Sequence, residues 1–216
     1  MKNMHRREFS AALLGASALA AGLPAAAQGG PVEGTHYVRL GQPLAVTAPA
    51  GKVEVVEFFW YGCPHCNVFE PMLEAWAKKL PADVSFRRVP VAFRDEPFGT
   101  HQRIYYALES LNQVEAMHRK VFYAVHNDRQ KLDKPAEIAA FMTKNGLDGA
   151  KFVEVMNSFS VQTKARQAKQ LAEAYKIDGV PALGVQGRFY TSGSLAGSPE
   201  QSLRVTDFLI ERSRKA

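Results

Sequence analysis

The sequence predicts an α/β domain carrying an inserted block of helices, and three observations lead there. Residues 53–61 form a run of β-branched and aromatic residues broken only by Glu54 and Glu57, which reads as a buried strand. Directly after it, Cys63-Pro64-His65-Cys66 opens a stretch of helical spacing, and residues 84–91 then alternate as a second strand, giving β-α-β. From about residue 97 to 160 only helical periodicity recurs, before two short strands and a last helix complete the pattern.

Residues 1–27 read as a secretory signal and are set aside from the fold. Lys2, Arg6 and Arg7 make a cationic start, residues 11–23 are small and apolar, and Ala25-Ala26-Ala27 offers a cleavage site. Arg6-Arg7-Glu8-Phe9 also resembles a twin-arginine export signal, although Ser10-Ala11 is not its usual continuation, so both export routes stay open. The apolar run is short for a bilayer span, and no later run is longer.

Gly-rich residues 28–34 are expected to be loose, and Ala48-Pro49-Ala50-Gly51 to turn the chain into the first strong strand. The helix over residues 64–79 should bury Val68, Phe69, Met72, Leu73 and Trp76 and bend at Pro71, which removes a backbone hydrogen bond. In the insertion, Ile104, Ala107, Leu108 and Leu111 keep helical spacing, as do Val114, Met117, Val121 and Val125. The helix over residues 135–144 closes at Asn145-Gly146. Asp148 caps a short helix carrying Phe152, Val155 and Met156, and a longer helix covers residues 160–176. After Gly179-Val180-Pro181, strands over residues 182–185 and 188–191 flank a tight Gln186-Gly187 turn. Ser198-Pro199-Glu200-Gln201 supplies the last helix with a cap, a first-turn proline and a capping-box partner.

Charge excludes one function class. Losing the signal removes three of the 27 cations and one of the 21 anions, so a net charge of +6 becomes +4. That is a mildly basic surface without a dense Lys/Arg block, and Lys164, Arg166 and Lys169 read as the solvated side of a helix, so no nucleic-acid footprint is expected.

Cys63 and Cys66 are the only two cysteines, and export into an oxidising space favours reading them as a disulfide pair. A zinc site would need two further ligands. No second cysteine pair exists, and His101, His118 and His126 lack the usual short spacing, so no metal is expected. Cys63 falls at a helix N-terminus, where a thiolate is favoured. The dipole supplies only about 0.3–2 kcal/mol, whereas lowering a thiol pKa by about three units takes roughly 4 kcal/mol. The remainder is expected from backbone N–H groups of the first turn and from the His65 imidazole donating to the Cys63 sulfur.

Glu57-Phe58-Phe59, Cys63-Pro64-His65-Cys66, Phe69-Glu70 and Gly179-Val180-Pro181-Ala182, in this order, resemble the DsbA family of periplasmic thiol:disulfide oxidants. The resemblance implies a thioredoxin-like fold with an inserted helical domain. Its first part would span residues 28–96, the insertion 97–160 and the second part 161–216. It also implies that Cys63, Pro64, His65 and Cys66 carry the chemistry, and that a cis Val180–Pro181 bond faces them and leaves the Val180 backbone free to pair with a client peptide. A client thiolate would attack Cys63 of a Cys63–Cys66 disulfide, with no other cofactor. The partners implied are reduced, newly exported proteins and a quinone-linked membrane oxidase of the DsbB kind that reoxidises the enzyme. The place implied is the periplasm, and a monomer is expected.

Trp60, Tyr61, Gly62 and Asn67 differ from the best-known enterobacterial member and are expected to shape the substrate groove, while Phe58, Phe59 and Trp60 are themselves expected to be mainly core. Glu57, inside an apolar strand, is expected to be buried and to act in proton transfer near Cys66. For Glu70 a supporting role and a plain helix-surface carboxylate both stay open. A disulfide isomerase or reductase of the same fold is the alternative function. Such isomerases resemble dimers built on an N-terminal dimerisation domain, for which the residues before the first strong strand leave no room. A redox-inert peptide-binding module is disfavoured by the intact cysteine pair.

Overall fold

The computed structural model describes residues 29–215, so the expected signal and its cleavage site lie outside the described residues. A five-stranded sheet, ordered β1-β5-β4-β2-β3, separates two helical layers. Its strands are β1 (Val38–Arg39), β2 (Val53–Phe59), β3 (Val84–Pro90), β4 (Ala182–Val185) and β5 (Phe189–Ser192). Strand β2 is central, parallel to β3 and antiparallel to β4, and every one of its residues is buried. A strand covered on both faces should read as nearly continuous apolar sequence, which leaves Glu54 and Glu57 as the conspicuous exceptions.

The helices are α1 (Pro64–Ala77), α2 (Phe98–Ser110), α3 (Val114–His126), α4 (Pro135–Lys144), α5 (Gly149–Met156), α6 (Phe159–Ala174), α7 (Gly193–Ala196) and α8 (Pro199–Arg214). Val53 and Val55 pack with Val205, Leu209 and Ile210 of α8, whereas Val56, Phe58 and Phe59 join Ile104, Val121 and Phe122 of α2 and α3. Each such buried side chain contributes about 1.5–3 kcal/mol relative to exposure. The helical block therefore shares one apolar core with the sheet.

Local signals explain the boundaries. Asp148, Ser158 and Ser198 each accept the backbone N–H three residues on, capping α5, α6 and α8. Gly146, at φ +87°, ends α4 as expected. Gln186 and Gly187, both at positive φ, form the tight turn between β4 and β5. The short edge strand β1 and the single-turn helix α7 carry too few residues for a periodic signal. Among the described residues, no helix is long and apolar enough to cross a membrane.

One expectation for α1 fails. Phe69 and Leu73 are buried and Met72 and Trp76 half-buried, but Val68 is 72 % exposed. Phe69 and Leu73 face the sheet through Leu183 and α8 through Leu203, which turns Val68 outward. Pro71 sits on the exposed side inside the helix, which runs on to Ala77.

Candidate active site

Cys63 is the N-cap of α1, with extended backbone (φ −86°, ψ 116°), and Pro64 occupies the first turn, where its missing N–H costs nothing. The Cys66 N–H points at Cys63 Sγ, 3.4 Å away. Gly62 lets the Trp60 ring pack against the turn before the helix, because a Cβ there would lie 2.3 Å from that ring. Both cysteines are free thiols; Cys63 is 7 % exposed and Cys66 is fully enclosed.

Their environments drive them apart. The Cys66 thiol donating to its sulfur, with the backbone N–H groups of Cys66 and His65, brings Cys63 from the ordinary thiol value of 9.0 down to about 6 against the opposing effect of burial. Burial pushes the Cys66 thiol well up, and the neighbouring Cys63 sulfur adds to this. One sulfur is thus a stable thiolate and the other a stable thiol. The expected imidazole hydrogen bond from His65 is not formed. His65 is exposed, and its ring acts as a nearby positive charge, the smallest of the favourable influences, while its backbone N–H does more.

The Val180–Pro181 peptide is cis, as expected. Strand β4 lies beside β2 with Ala182 opposite Phe58, which brings the preceding Val180 carbonyl to 3.4 Å from Cys63 Sγ. That oxygen can accept from Cys63 only while the thiol is protonated; the thiolate has no proton to donate to it.

Glu57 is buried, as its sequence context implies, and Glu70 is buried too, so the helix-surface reading of Glu70 falls. The parallel register pairs Glu57 with Arg88, whose Nε lies 3.0 Å from Glu57 Oε2 and whose terminal nitrogen donates to Glu70 Oε1. Burial, then the Glu70 charge, raises the Glu57 carboxyl well above the usual carboxylate range, and Arg88 offsets this only in part. When Glu57 ionises, its charge raises Cys66 further. Arg88 carried no sequence signal as a site residue, because only the strand register brings it to Glu57.

An apolar groove of about 480 Å³ lies beside the cysteines, walled by Val68, Phe69, Ile177, Pro181, Tyr190 and Leu195, with His65 at its rim. The outward turn of Val68 is what supplies one wall. Trp60, Tyr61, Gly62 and Asn67 do not line it, contrary to expectation. Trp60 stacks on Phe98 at 3.9 Å, Tyr61 is fully buried, and Asn67 borders a separate depression with Arg119, Lys120 and Tyr123. Phe58 and Phe59 are core.

Two of the three histidines in the helical block bond to Tyr61. His118 Nδ1 meets its Oη and His126 Nε2 donates to its carbonyl, both at 2.8 Å. His101 Nε2 pairs instead with the Lys131 carbonyl at 2.9 Å. No cluster of three or more His, Cys, Asp or Glu side chains suited to a metal occurs among the described residues.

A strand that delivers an activated thiolate to a helix N-terminus, with a second thiol one turn on and a cis-proline opposite, defines a thiol:disulfide oxidoreductase of thioredoxin-like architecture. The model of the DSBA-like thioredoxin domain family matches residues 54–203. The chain is 42 % identical over 206 residues to the thiol:disulfide interchange protein DsbA of Burkholderia cepacia, covering 95 % of this chain and 97 % of that one. To the DsbA of Pseudomonas aeruginosa it is 43 % identical over 183 residues, 85 % of this chain and 86 % of the other. The crystal structure of P. aeruginosa DsbA superposes with a TM-score of 0.82 at 42 % identity, covering 86 % of this chain and 95 % of that one. DsbA from Xylella fastidiosa gives 0.78 at 34 % identity, over 86 % and 99 %. The chain belongs to the DsbA family and is a disulfide oxidoreductase acting on proteins.

Proposed function

We propose that the protein works as an oxidant, donating a Cys63–Cys66 disulfide to reduced, newly exported proteins in the periplasm. The opposed thiol affinities of Cys63 and Cys66 carry this reading. A stabilised Cys63 thiolate favours the dithiol form, and a disulfide whose reduced form is stabilised is a strong oxidant.

In the proposed cycle a client thiolate attacks Cys63 Sγ in line with the disulfide, and Cys66 Sγ departs. Cys66 holds its proton tightly, so it leaves well only if a proton follows, and the protonated Glu57 carboxyl is the donor in this reading. A second client thiolate then attacks the client sulfur of the mixed disulfide and expels Cys63, whose low pKa makes it a good leaving group. Two electrons pass from client to enzyme, and one disulfide replaces another. The groove beside Cys63 suits an extended apolar client segment.

Reoxidation is assigned to a quinone-linked membrane oxidase of the DsbB kind, and the enzyme to a monomer that needs no cofactor beyond its own cysteines. The deciding experiment is the equilibrium of the purified mature chain with glutathione, together with turnover of reduced clients. An oxidising equilibrium constant, and complete loss of client oxidation in Cys63→Ser, are expected; a reducing equilibrium supports the isomerase or reductase alternative. Glu57→Gln should slow exchange with little loss of stability, and unchanged rates remove Glu57 from the cycle.

A further inference from the structure

The buried charge cluster has an arm that the cycle above does not use. His118, on α3 and 4 % exposed, places Nδ1 2.8 Å from Tyr61 Oη and Nε2 3.4 Å from Glu70 Oε2. Phe59, Tyr61 and Phe122 enclose its ring, with centroids between 5.1 and 5.2 Å away. The titratable groups facing it are Glu70 from α1, Tyr61 from the turn before α1, Tyr105 from α2 and Arg88 from β3, with Arg119 on its own helix.

Hydrogen-bond accounting fixes the tautomer. Burial pushes the imidazole below its ordinary value, so the ring is neutral, with one N–H and one lone pair. Burial holds the Tyr61 phenol well above its ordinary value, so Oη keeps its proton and donates it to Nδ1. The ring proton then sits on Nε2, 3.4 Å from Glu70 Oε2, a polar contact in which neither atom has a formed hydrogen bond. Glu70 Oε1 accepts from Arg88, and the His118 Nε2 contact is the second approach to this carboxyl, at Oε2. Glu57 has Arg88 Nε 3.0 Å from Oε2 as its one ion-pair contact, and neither of its oxygens has a formed hydrogen bond.

We propose that His118 is a positioning residue that keeps the shared proton of the Glu57/Glu70 pair on Glu57, and so readies that acid for Cys66. One guanidinium cannot neutralise two buried carboxylates, and the carboxyl with more donors is the one that ionises. Without the Nε2–H, Glu70 loses its advantage, the proton moves to it, and Glu57 takes Arg88 as an ion pair with no proton to give. The helical block thereby sets the protonation state of a carboxyl held on the sheet. The inference deepens the proposed proton transfer and rests on it.

The test is infrared difference spectroscopy of the carboxylic-acid carbonyl band in the full mature chain. In the unsubstituted protein Glu57→Gln is expected to remove the band. In His118→Phe, Glu70→Gln should remove it instead, and His118→Gln, whose amide keeps an N–H for Glu70, should return it to Glu57. A band that stays with Glu57 in His118→Phe overturns the inference. Mixed-disulfide formation should slow about tenfold or more in His118→Phe, with no further loss on adding Glu57→Gln. If Glu57→Gln alone leaves the rate unchanged, proton donation falls, while the band still decides the role of His118. Should His118→Phe fail to fold, the imidazole nitrogen NMR shifts of the unsubstituted protein decide: protonation at Nε2 alone is expected, and protonation at Nδ1 or at both nitrogens overturns the inference.

Discussion

The backbone N–H of Cys66 lies 3.4 Å from the Sγ of Cys63, so the second cysteine of the pair helps to hold the charge of the first. The same turn of helix that lets the two sulfurs bridge also makes Cys66 the main stabiliser of the Cys63 thiolate.

That relationship predicts the acid titration of the reduced enzyme. The thiolate absorbance of Cys63 should appear with a midpoint of about 6. Because the folded value is depressed, the stabilisation of the reduced fold begins above pH about 6, is complete above the unfolded thiol range, and is lost as pH falls through the folded value. The reduced form should therefore melt at a higher temperature than the disulfide form at pH 8, with a smaller gap at pH 5. A midpoint near 9 would contradict this.

His65 acts on Cys63 through its charge and its backbone N–H. His65→Ser keeps the N–H and removes the ring. The Cys63 titration should rise by no more than about one unit, and each unit corresponds to about 30 mV of lost oxidising power. A glutathione equilibrium within twofold of the parent would exclude the ring from the redox balance.

Val68 walls the groove while being 72 % exposed. Val68→Glu should leave stability within about 0.5 kcal/mol, as for most surface changes. Placing a charge on an apolar wall should raise KM several-fold for clients with apolar segments flanking the cysteine. Equal KM values for apolar and polar peptides in parent and variant alike would show that the groove is not used.

Glu54, buried in β2, accepts from Thr47 N and Oγ1, both at 2.7 Å, from Ala48 N at 3.0 Å and from Arg87 at 3.2 Å. Burial works against ionisation, but Arg87 and Thr47 prevail and hold the carboxyl below its usual value. Glu54→Gln should cost about 1–3 kcal/mol in denaturant unfolding. The contribution is present above the unfolded value of about 4.5 and is lost as pH falls through the lower folded one, so parent and variant should converge in acid. Equal midpoints at neutral pH would show that the carboxylate is dispensable.

The strand-to-helix passage at residues 53–66, the caps at Asp148, Ser158 and Ser198, and the chemistry of the cysteine pair were legible in sequence, because each depends on neighbours within a few residues. Glu57 was legible too, since a carboxyl in a strand of apolar residues has nowhere to be but inside. Arg88, His118 and Tyr61 were not, and neither was the outward wall of Val68. Their roles come from parallel strand register, from the docking of α3 over Tyr61 and from the angle at which α1 meets the sheet. Those are contacts between residues far apart in the chain, and no local periodicity encodes them. The reactive pair was thus written into its own four residues, whereas the surroundings of the carboxyls behind it were decided only by which distant groups the packed core brought to each of them.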